Sequence, residues 1–578
     1  MMDRNASVIA PSVLRSVSDA LREQLEAEGE RVRIRAGEWL FREGEPADRA
    51  YLVLKGRLEV VAERPREVVI RQVKRGSVVG ELALLSHGMR TASVRASRDS
   101  EVTELTRARF ESLMQTRPEF GLSLVRTMGA QIAANRAPEA APARPRTIAV
   151  VALDGAAPGE AIGHELVLAL RNHCLADRLG PDPECDETGF DALLERAETV
   201  NRRVVLTPGS SGPGDPWTDF CLREADLVVA VTTGRPDPIW TEHAATFREC
   251  ELMMLGDSWV AHQRVLSAFH PREVLVLRGE TARDGALAQL ARRLMGKAIG
   301  LVMSGGGARA LAHLGVLDEL RAAGLEIDRF AGTSMGAIVS GLAATGAPME
   351  EIVGILKRHL VDSNPSNDYM LPAYSLIRGA KTRRALQAAF GERRIEELPN
   401  RWYCVSSDLR SRELVVHRTG LMVDAIYPSM AIPGVYPPLP THGERLLVDG
   451  GVIDNLPVEP MARRAEGPVI AVDVSLRDGA VTTTGRPRLE PIMRRLRHAM
   501  TGSEQPVPRL SETILRTMAL GSTDTVAAAM QHADLVISPR VEGVGLLDWK
   551  QLPRAREIGR QAARIALEQT LAELQALT

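Results

Sequence analysis

From Arg146 onward, short apolar runs alternate with helical patterns, and this alternation constrains the fold more than any other feature of the 578-residue chain. The runs "TIAVVAL", "RRVVLTP", "DLVVAVT" and "EVLVLRG" are interleaved with helical stretches such as "GEAIGHELVLALRNHC" and "GALAQLARRLM". The order resumes at Ala298 with "AIGLVMS", "LVVHRT", "RLLVDG" and "PVIAVDV". Strands separated by helices build βαβ units and a parallel sheet, so the last two thirds reads as α/β.

The beginning of the chain follows another rule. Between Arg31 and Thr106 the segments "RVRIRAG", "AYLVLKGRLEVVA", "REVVIRQV" and "TASVRAS" are punctuated by Gly37, Gly44, Gly56 and Gly76. Short strands broken by glycine turns predict a small antiparallel β-barrel. A helical segment follows Arg107 and is interrupted near Pro118. "RAPEAAPARPR" then lacks apolar periodicity and reads as a linker. A soft prior of roughly 100 to 200 residues per domain agrees that the chain is multidomain. The expected division is a β-barrel domain at 1–135, a linker at 136–146, an intermediate α/β domain at 147–297 and a second α/β domain at 298–578.

Composition excludes several classes. Lys and Arg (72) almost cancel Asp and Glu (74), leaving a net charge of −2, so nucleic acid is not an expected partner. The five cysteines are scattered without ligand spacing, which predicts free thiols and no metal site. The N-terminus lacks the apolar run of a signal peptide, and no stretch of about 18 apolar residues exists to cross a bilayer. The expectation is a cytoplasmic protein whose membrane contact is peripheral, at the inner face. Residues 477–510, rich in Gly, Thr, Pro and Arg, read as an insertion. Within it "PIMRRLRHAM" fits either a solvated charge run or a basic helix on a lipid surface.

Chemistry concentrates in the last domain. Gly332, Thr333, Ser334, Met335 and Gly336 form a G-x-S-x-G pattern between an apolar strand and a helix. Such a turn is either a nucleophile elbow that lifts a serine hydroxyl clear of the sheet, or a glycine turn whose serine caps the helix. Upstream, Gly305, Gly306 and Gly307 join a strand to a helix, where bare amides can hold a phosphate or an oxyanion. Gly305, Gly307 and Ala310 also fit a dinucleotide fingerprint, but the acidic candidates Glu326 and Asp328 precede the second strand's apolar run. Asp449 follows an apolar strand and precedes Gly450 and Gly451, a suitable place for a carboxylate on the same sheet edge or for a turn aspartate. A serine nucleophile needs a base. The downstream histidines His359, His417, His442, His498 and His532 all lie outside tight glycine turns after strands.

Together "GGGARALAHLGVL", "GTSMG", "SMAIPGVYPPL" and "VDGG", in this order, resemble the patatin-like phospholipase family of serine hydrolases. The resemblance implies a Ser-Asp dyad with Ser334 as nucleophile and Asp449 as base, the loop Gly305–Gly307 as oxyanion hole, and no required cofactor. The chain departs from the family pattern at Ala310, where glycine is usual. Arg309 is left as a loop-orienting residue, a lipid-phosphate contact or a surface cation.

In the N-terminal region, "GSVVGELALLSHGMRTASVRA" sets Arg90 ten residues after Gly80. In a small barrel that spacing lets a carboxylate take a ribose hydroxyl while a guanidinium pairs with a phosphate. The segment resembles the phosphate cassette of cyclic nucleotide-binding domains. That resemblance implies Glu81 on the ribose, Arg90 on the cyclic phosphate, and Gly80, Leu82 and Thr91 lining the pocket, with cyclic AMP or cyclic GMP as effector. Thr91 hints at guanine, and Met89 replaces a frequent proline. The pairing of the two modules is similar to the neuropathy target esterase group of lysophospholipases, which implies carboxylic ester hydrolysis of phospholipids or lysophospholipids. Two rivals stay open: a cyclic nucleotide-sensing binding protein with an inactive hydrolase domain, and a dinucleotide-dependent α/β enzyme.

Overall fold

The computed structural model describes residues 30–577 except 36, 63–67, 75–76, 86–87, 98, 119, 123–143, 183, 186–188, 210–211, 248, 257–258, 278, 364, 366, 371–374, 442–444, 476–522 and 546–547. The chain divides into two compact units, one ending at Ala291 and one beginning at Arg292. Most of the expected linker and all of the 477–510 insertion lie outside the described residues.

The first unit begins with two four-stranded sheets. One runs in the order Arg31–Ile34, Ser100–Thr106, Arg49–Lys55, Val78–Val79, and the other Trp39–Phe41, Ser93–Ala96, Arg57–Ala62, Val68–Lys74. All their pairings are antiparallel, and Ile34, Phe41, Val53, Leu58, Val94 and Val102 fill the space between. The barrel expected from the glycine-punctuated runs is therefore present. A six-stranded parallel sheet follows, ordered Ala176–Leu179, Arg203–Leu206, Thr147–Ala152, Leu227–Thr232, Glu251–Leu255, Glu273–Leu277. Within this unit a buried ion pair joins Arg57 of the barrel to Asp226 at the head of the fourth strand.

The second unit is built on an eight-stranded mixed sheet ordered Leu439–Pro440, Leu446–Asp449, Arg401–Asp408, Ile327–Gly332, Ile299–Met303, Val469–Val472, Leu535–Ile537, with Glu413–His417 paired to Arg401–Asp408. Five of these strands run parallel, as the alternation predicts. The strands of "LVVHRT" and "RLLVDG" instead pair antiparallel with Arg401–Asp408. The reason is connection length, because only residues 409–412 separate the first pair and a parallel crossover needs about a dozen. Helix Met335–Ala344 is buried along its whole length and lies in the core. Among the described residues, no helix is long and apolar enough to cross a membrane, and no His/Cys/Asp/Glu cluster can hold a metal.

Candidate active site and nucleotide pocket

Strand Ile327–Gly332 and helix Met335–Ala344 meet at Ser334, whose backbone sits at φ 54° and ψ −122°. A non-glycine residue with positive φ is strained, and such strain persists only where neighbours enforce it. Here the neighbours are close. A Cβ at Gly332 would stand 2.4 Å from the Gly336 carbonyl carbon, and one at Gly336 would stand 2.3 Å from the Met303 oxygen. The two glycines thus allow strand, turn and helix to press together. The Ser334 side chain makes no capping hydrogen bond, so the helix-cap alternative does not describe this turn.

Asp449 ends strand Leu446–Asp449 and is 2 % exposed. Its carboxylate accepts from the Gly451 amide at 2.8 Å and lies beside the Ser334 hydroxyl, which favours the charged form. Burial dominates these contacts and pushes its pKa up to about 7. The Asp449 amide donates to the Ala431 carbonyl at 2.9 Å, and the Ser334 amide donates to Ser429 Oγ at 3.0 Å. Serine and carboxylate, far apart in sequence, are therefore brought side by side.

The glycine loop lies against this pair. A Cβ at Gly305 would stand 3.1 Å from Ser334 Cβ. The Gly305 amide is already used, since it donates to the Asn455 carbonyl at 3.3 Å, whereas no acceptor among the described residues faces the Gly306 and Gly307 amides. The loop's free donors are thus two of the three expected. Asn455 Nδ2 returns a bond to the Gly305 carbonyl at 3.3 Å, tying the loop to the segment after Asp449. Arg309 is buried and donates through Nε to the Val544 carbonyl at 3.0 Å, which makes it an anchor of the loop and not a surface cation. Ala310, where the family pattern has glycine, is fully buried in the core. His313 Nε2 donates to the Ser304 carbonyl at 2.9 Å, and burial pushes its pKa down to about 4, so the ring is neutral at physiological pH.

The rival assignments fare differently. Arg292 grips the buried Asp328 through Nε at 3.1 and 3.0 Å, so that acid does not stand open for a ribose, and it also pairs with the exposed Glu326 at 3.2 Å. His417 hydrogen-bonds Ser406 at 2.7 Å, His359 sits in the helical turn Lys357–Asp362, and His532 is exposed. His442 and His498 lie outside the described residues. Sequence reasoning gave no role to Ser429, Asn455 or His313. Two of them stood in quoted motifs, Ser429 opening "SMAIPGVYPPL" and His313 inside "GGGARALAHLGVL".

In the barrel, Arg90 is 4 % exposed and lies over the Phe41 ring, its guanidinium carbon 4.0 Å from the centroid. Its Nη1 donates to the Gly80 carbonyl at 3.3 Å, and its Nε is buried without a partner. Glu81 is also buried, at the start of helix Glu81–Leu85, while Leu82 and Thr91 present exposed side chains. Gly80 has φ 79°, and a Cβ there would meet Arg90 Nη1 at 2.3 Å. Gly80→Ala is accordingly expected to displace the guanidinium. If Arg90 is the phosphate-binding group, calorimetric titration with cyclic AMP and cyclic GMP should show affinity lowered about tenfold or more relative to wild type. Unchanged affinity would separate the guanidinium from any nucleotide contact.

Two family models match: a patatin-like phospholipase model at residues 301–462 and a cyclic nucleotide-binding domain model at residues 31–117. An uncharacterized NTE family protein of Mycobacterium tuberculosis is 34% identical over 572 residues, covering 96% of this chain and 95% of its own. A lysophospholipase of Yarrowia lipolytica is 26% identical over 645 residues, covering 91% of this chain and 45% of its own. A solved N-terminal domain of a transcriptional regulator from Streptomyces coelicolor A3(2) is 26% identical, covers 22% of this chain and 94% of its own, and superposes with a TM-score of 0.19. The chain belongs to the NTE family, carrying a cyclic nucleotide-binding domain ahead of a patatin-like phospholipase domain.

Proposed function

We propose that this protein hydrolyses carboxylic ester bonds of phospholipids or lysophospholipids through a dyad of Ser334 and Asp449. The observation that carries the reading is the buried Asp449 carboxylate, raised to about pKa 7 beside the hydroxyl of a strained Ser334. A carboxylate of that basicity is a competent general base near neutral pH. Asp449 takes the Ser334 proton as Oγ adds to the ester carbonyl, and the Gly306 and Gly307 amides receive the oxyanion. The protonated Asp449 then gives its proton to the departing alkoxide. Water, deprotonated by Asp449, attacks the acyl-serine, releasing fatty acid and restoring Ser334. On this reading residues 298–578 carry the hydrolase, and residues 147–297 connect it, beyond the 136–146 linker, to a nucleotide module at 1–135. The name of the Yarrowia lipolytica relative favours a lysophospholipid.

The direct test measures fatty acid released from lysophosphatidylcholine, phosphatidylcholine and soluble esters, together with labelling by a fluorophosphonate. Release from at least one substrate, with the label on Ser334, is the expected result. No release and no label under any condition would leave the chain a nucleotide-binding protein with an inactive hydrolase domain. A second reading, nucleotide control, is favoured by Arg90, a buried guanidinium whose Nε lacks an acceptor. Cyclic AMP or cyclic GMP filling that site would supply the missing anion, and the same hydrolysis assay with each nucleotide reads any effect on turnover.

A further inference from the structure

Ser334 and Asp449 arrive at the site from different strands, and something must fix the spacing between them. One short segment touches both. Ser429 Oγ accepts the Ser334 amide at 3.0 Å, and the Ala431 carbonyl accepts the Asp449 amide at 2.9 Å. Ser429 is the last residue of helix Met422–Ser429 and is wholly buried. Its side chain lies beside the buried Cys404 thiol, on the strand next to the one that leads into Ser334.

We infer that Ser429 is a positioning residue for the nucleophile: its hydroxyl holds the Thr333–Ser334 peptide plane in the strained geometry that aims the Ser334 hydroxyl at Asp449. The inference rests on the dyad reading proposed above. The physical reason is the Ser334 conformation itself. A positive-φ serine relaxes unless its surroundings over-determine it. The packed glycines Gly332 and Gly336 block one set of motions by contact, but contact does not orient an amide. A hydrogen bond does, because it weakens steeply as the donor angle closes. Removing the acceptor would also leave a buried amide unpaired, and the peptide would turn to find another partner. A near-attack geometry lost in this way lowers turnover with little change in substrate affinity.

The test compares full-length wild type with Ser429→Ala and Ser429→Cys. The cysteine variant nearly conserves volume while offering a weak acceptor, so it reports on the hydrogen bond if the alanine variant folds poorly. Each protein is titrated with a fluorophosphonate, so that kcat is counted per labelled Ser334. The expected order is wild type, then Ser429→Cys, then Ser429→Ala, with the alanine variant down about tenfold or more in kcat and KM within about twofold. The midpoint of the acid limb of the pH–rate profile should stay at the wild-type value, because Asp449 keeps its own burial and its Ala431 bond. A purely structural role predicts otherwise: kcat per labelled site unchanged while the labelled fraction falls, or a lowered midpoint as water reaches Asp449. Either result, or both variants within twofold of wild type, overturns the inference. Failure of wild type to label at Ser334 would instead remove the dyad reading on which it stands.

Discussion

Asp449→Asn and Ser334→Ala are each expected to lower kcat/KM by about 1000-fold or more, and the double variant should be little worse than either alone. The asparagine keeps the shape of the carboxylate and can still meet the Ser334 hydroxyl, but it cannot take the proton. Non-additivity follows because the two groups act in one proton transfer. Wild-type activity should also depend on pH in a defined direction. Asp449 works as a base only when ionised, and burial places its pKa at about 7. Therefore kcat/KM should fall about tenfold per pH unit below about 7 and level off above it. Assays of fatty acid release from pH 5 to 9 check this. A profile flat down to pH 5 would mean that the group is ionised far lower, and Asp449 as a desolvated base would be wrong.

The same burial carries a cost in stability whose sign is opposite to that of most carboxylates. The folded pKa of Asp449 lies above its unfolded value near 4, so its contribution is fully present below about pH 4 and is lost as pH rises through about 7. A rise from near 4 to about 7 corresponds to a loss of up to about 4 kcal/mol. Asp449→Asn removes the charge and keeps the volume. It should therefore melt above wild type at pH 8 and draw level with it near pH 4, the reverse of its effect on activity.

The motifs that carry chemistry were legible because each requires a residue type that geometry cannot replace. Gly332 and Gly336 stand where any Cβ would strike backbone, so the elbow writes itself into the sequence as glycine. Other parts were hidden for equally physical reasons. Strand Arg401–Asp408 lies next to Ile327–Gly332 and is almost wholly buried, yet the apolar run in its text "RWYCVSSD" stops at Val405 and the buried end is polar. Its polar groups are satisfied inside the fold: Ser406 by His417, Ser407 by the Gly450 carbonyl, and Asp408 by the Leu446 and Arg410 amides. Buried polar groups cost little when paired, so they can populate a core strand without any periodic signal. The direction of Leu446–Asp449 was hidden too, because alternation of strands and helices says nothing about a hairpin at the sheet's edge. Nor does a sequence show which amides are already taken, as Gly305's is by Asn455.

Gly315→Val and Gly559→Val should each unseat the C-terminal helix and lower the melting temperature of the second unit by about 10 °C, corresponding to about 3 kcal/mol of overpacking. Helix Ala312–Ala322 and helix Leu552–Leu577 cross so closely that a Cβ at Gly315 would lie 1.8 Å from the Arg556 oxygen, and one at Gly559 1.9 Å from the Ala312 oxygen. Backbone cannot yield as a side-chain end can, so the axes must separate. Separation also pulls apart the carboxylate of Asp318 and the guanidinium groups of Arg556 and Arg560, now 2.6 and 3.0 Å away. In sequence each glycine looks like a defect in a helix, worth about 1 kcal/mol against alanine. The crossing reverses that sign, because here glycine is what permits the contact. Activity should fall with stability, since helix Ala312–Ala322 continues directly from the turn Gly307–Leu311, and Arg309 holds that turn to Val544. Differential scanning calorimetry separates backbone contact from charge: the valine variants should stay destabilised at about 1 M salt, whereas Arg560→Gln, in which Arg556 still holds Asp318, should cost about 1 kcal/mol or less. Valine variants that melt within about 2 °C of wild type would show that the crossing has room to spare. The patatin-like match ends at residue 462, so the glycine loop would then be independent of a helix that lies wholly beyond it.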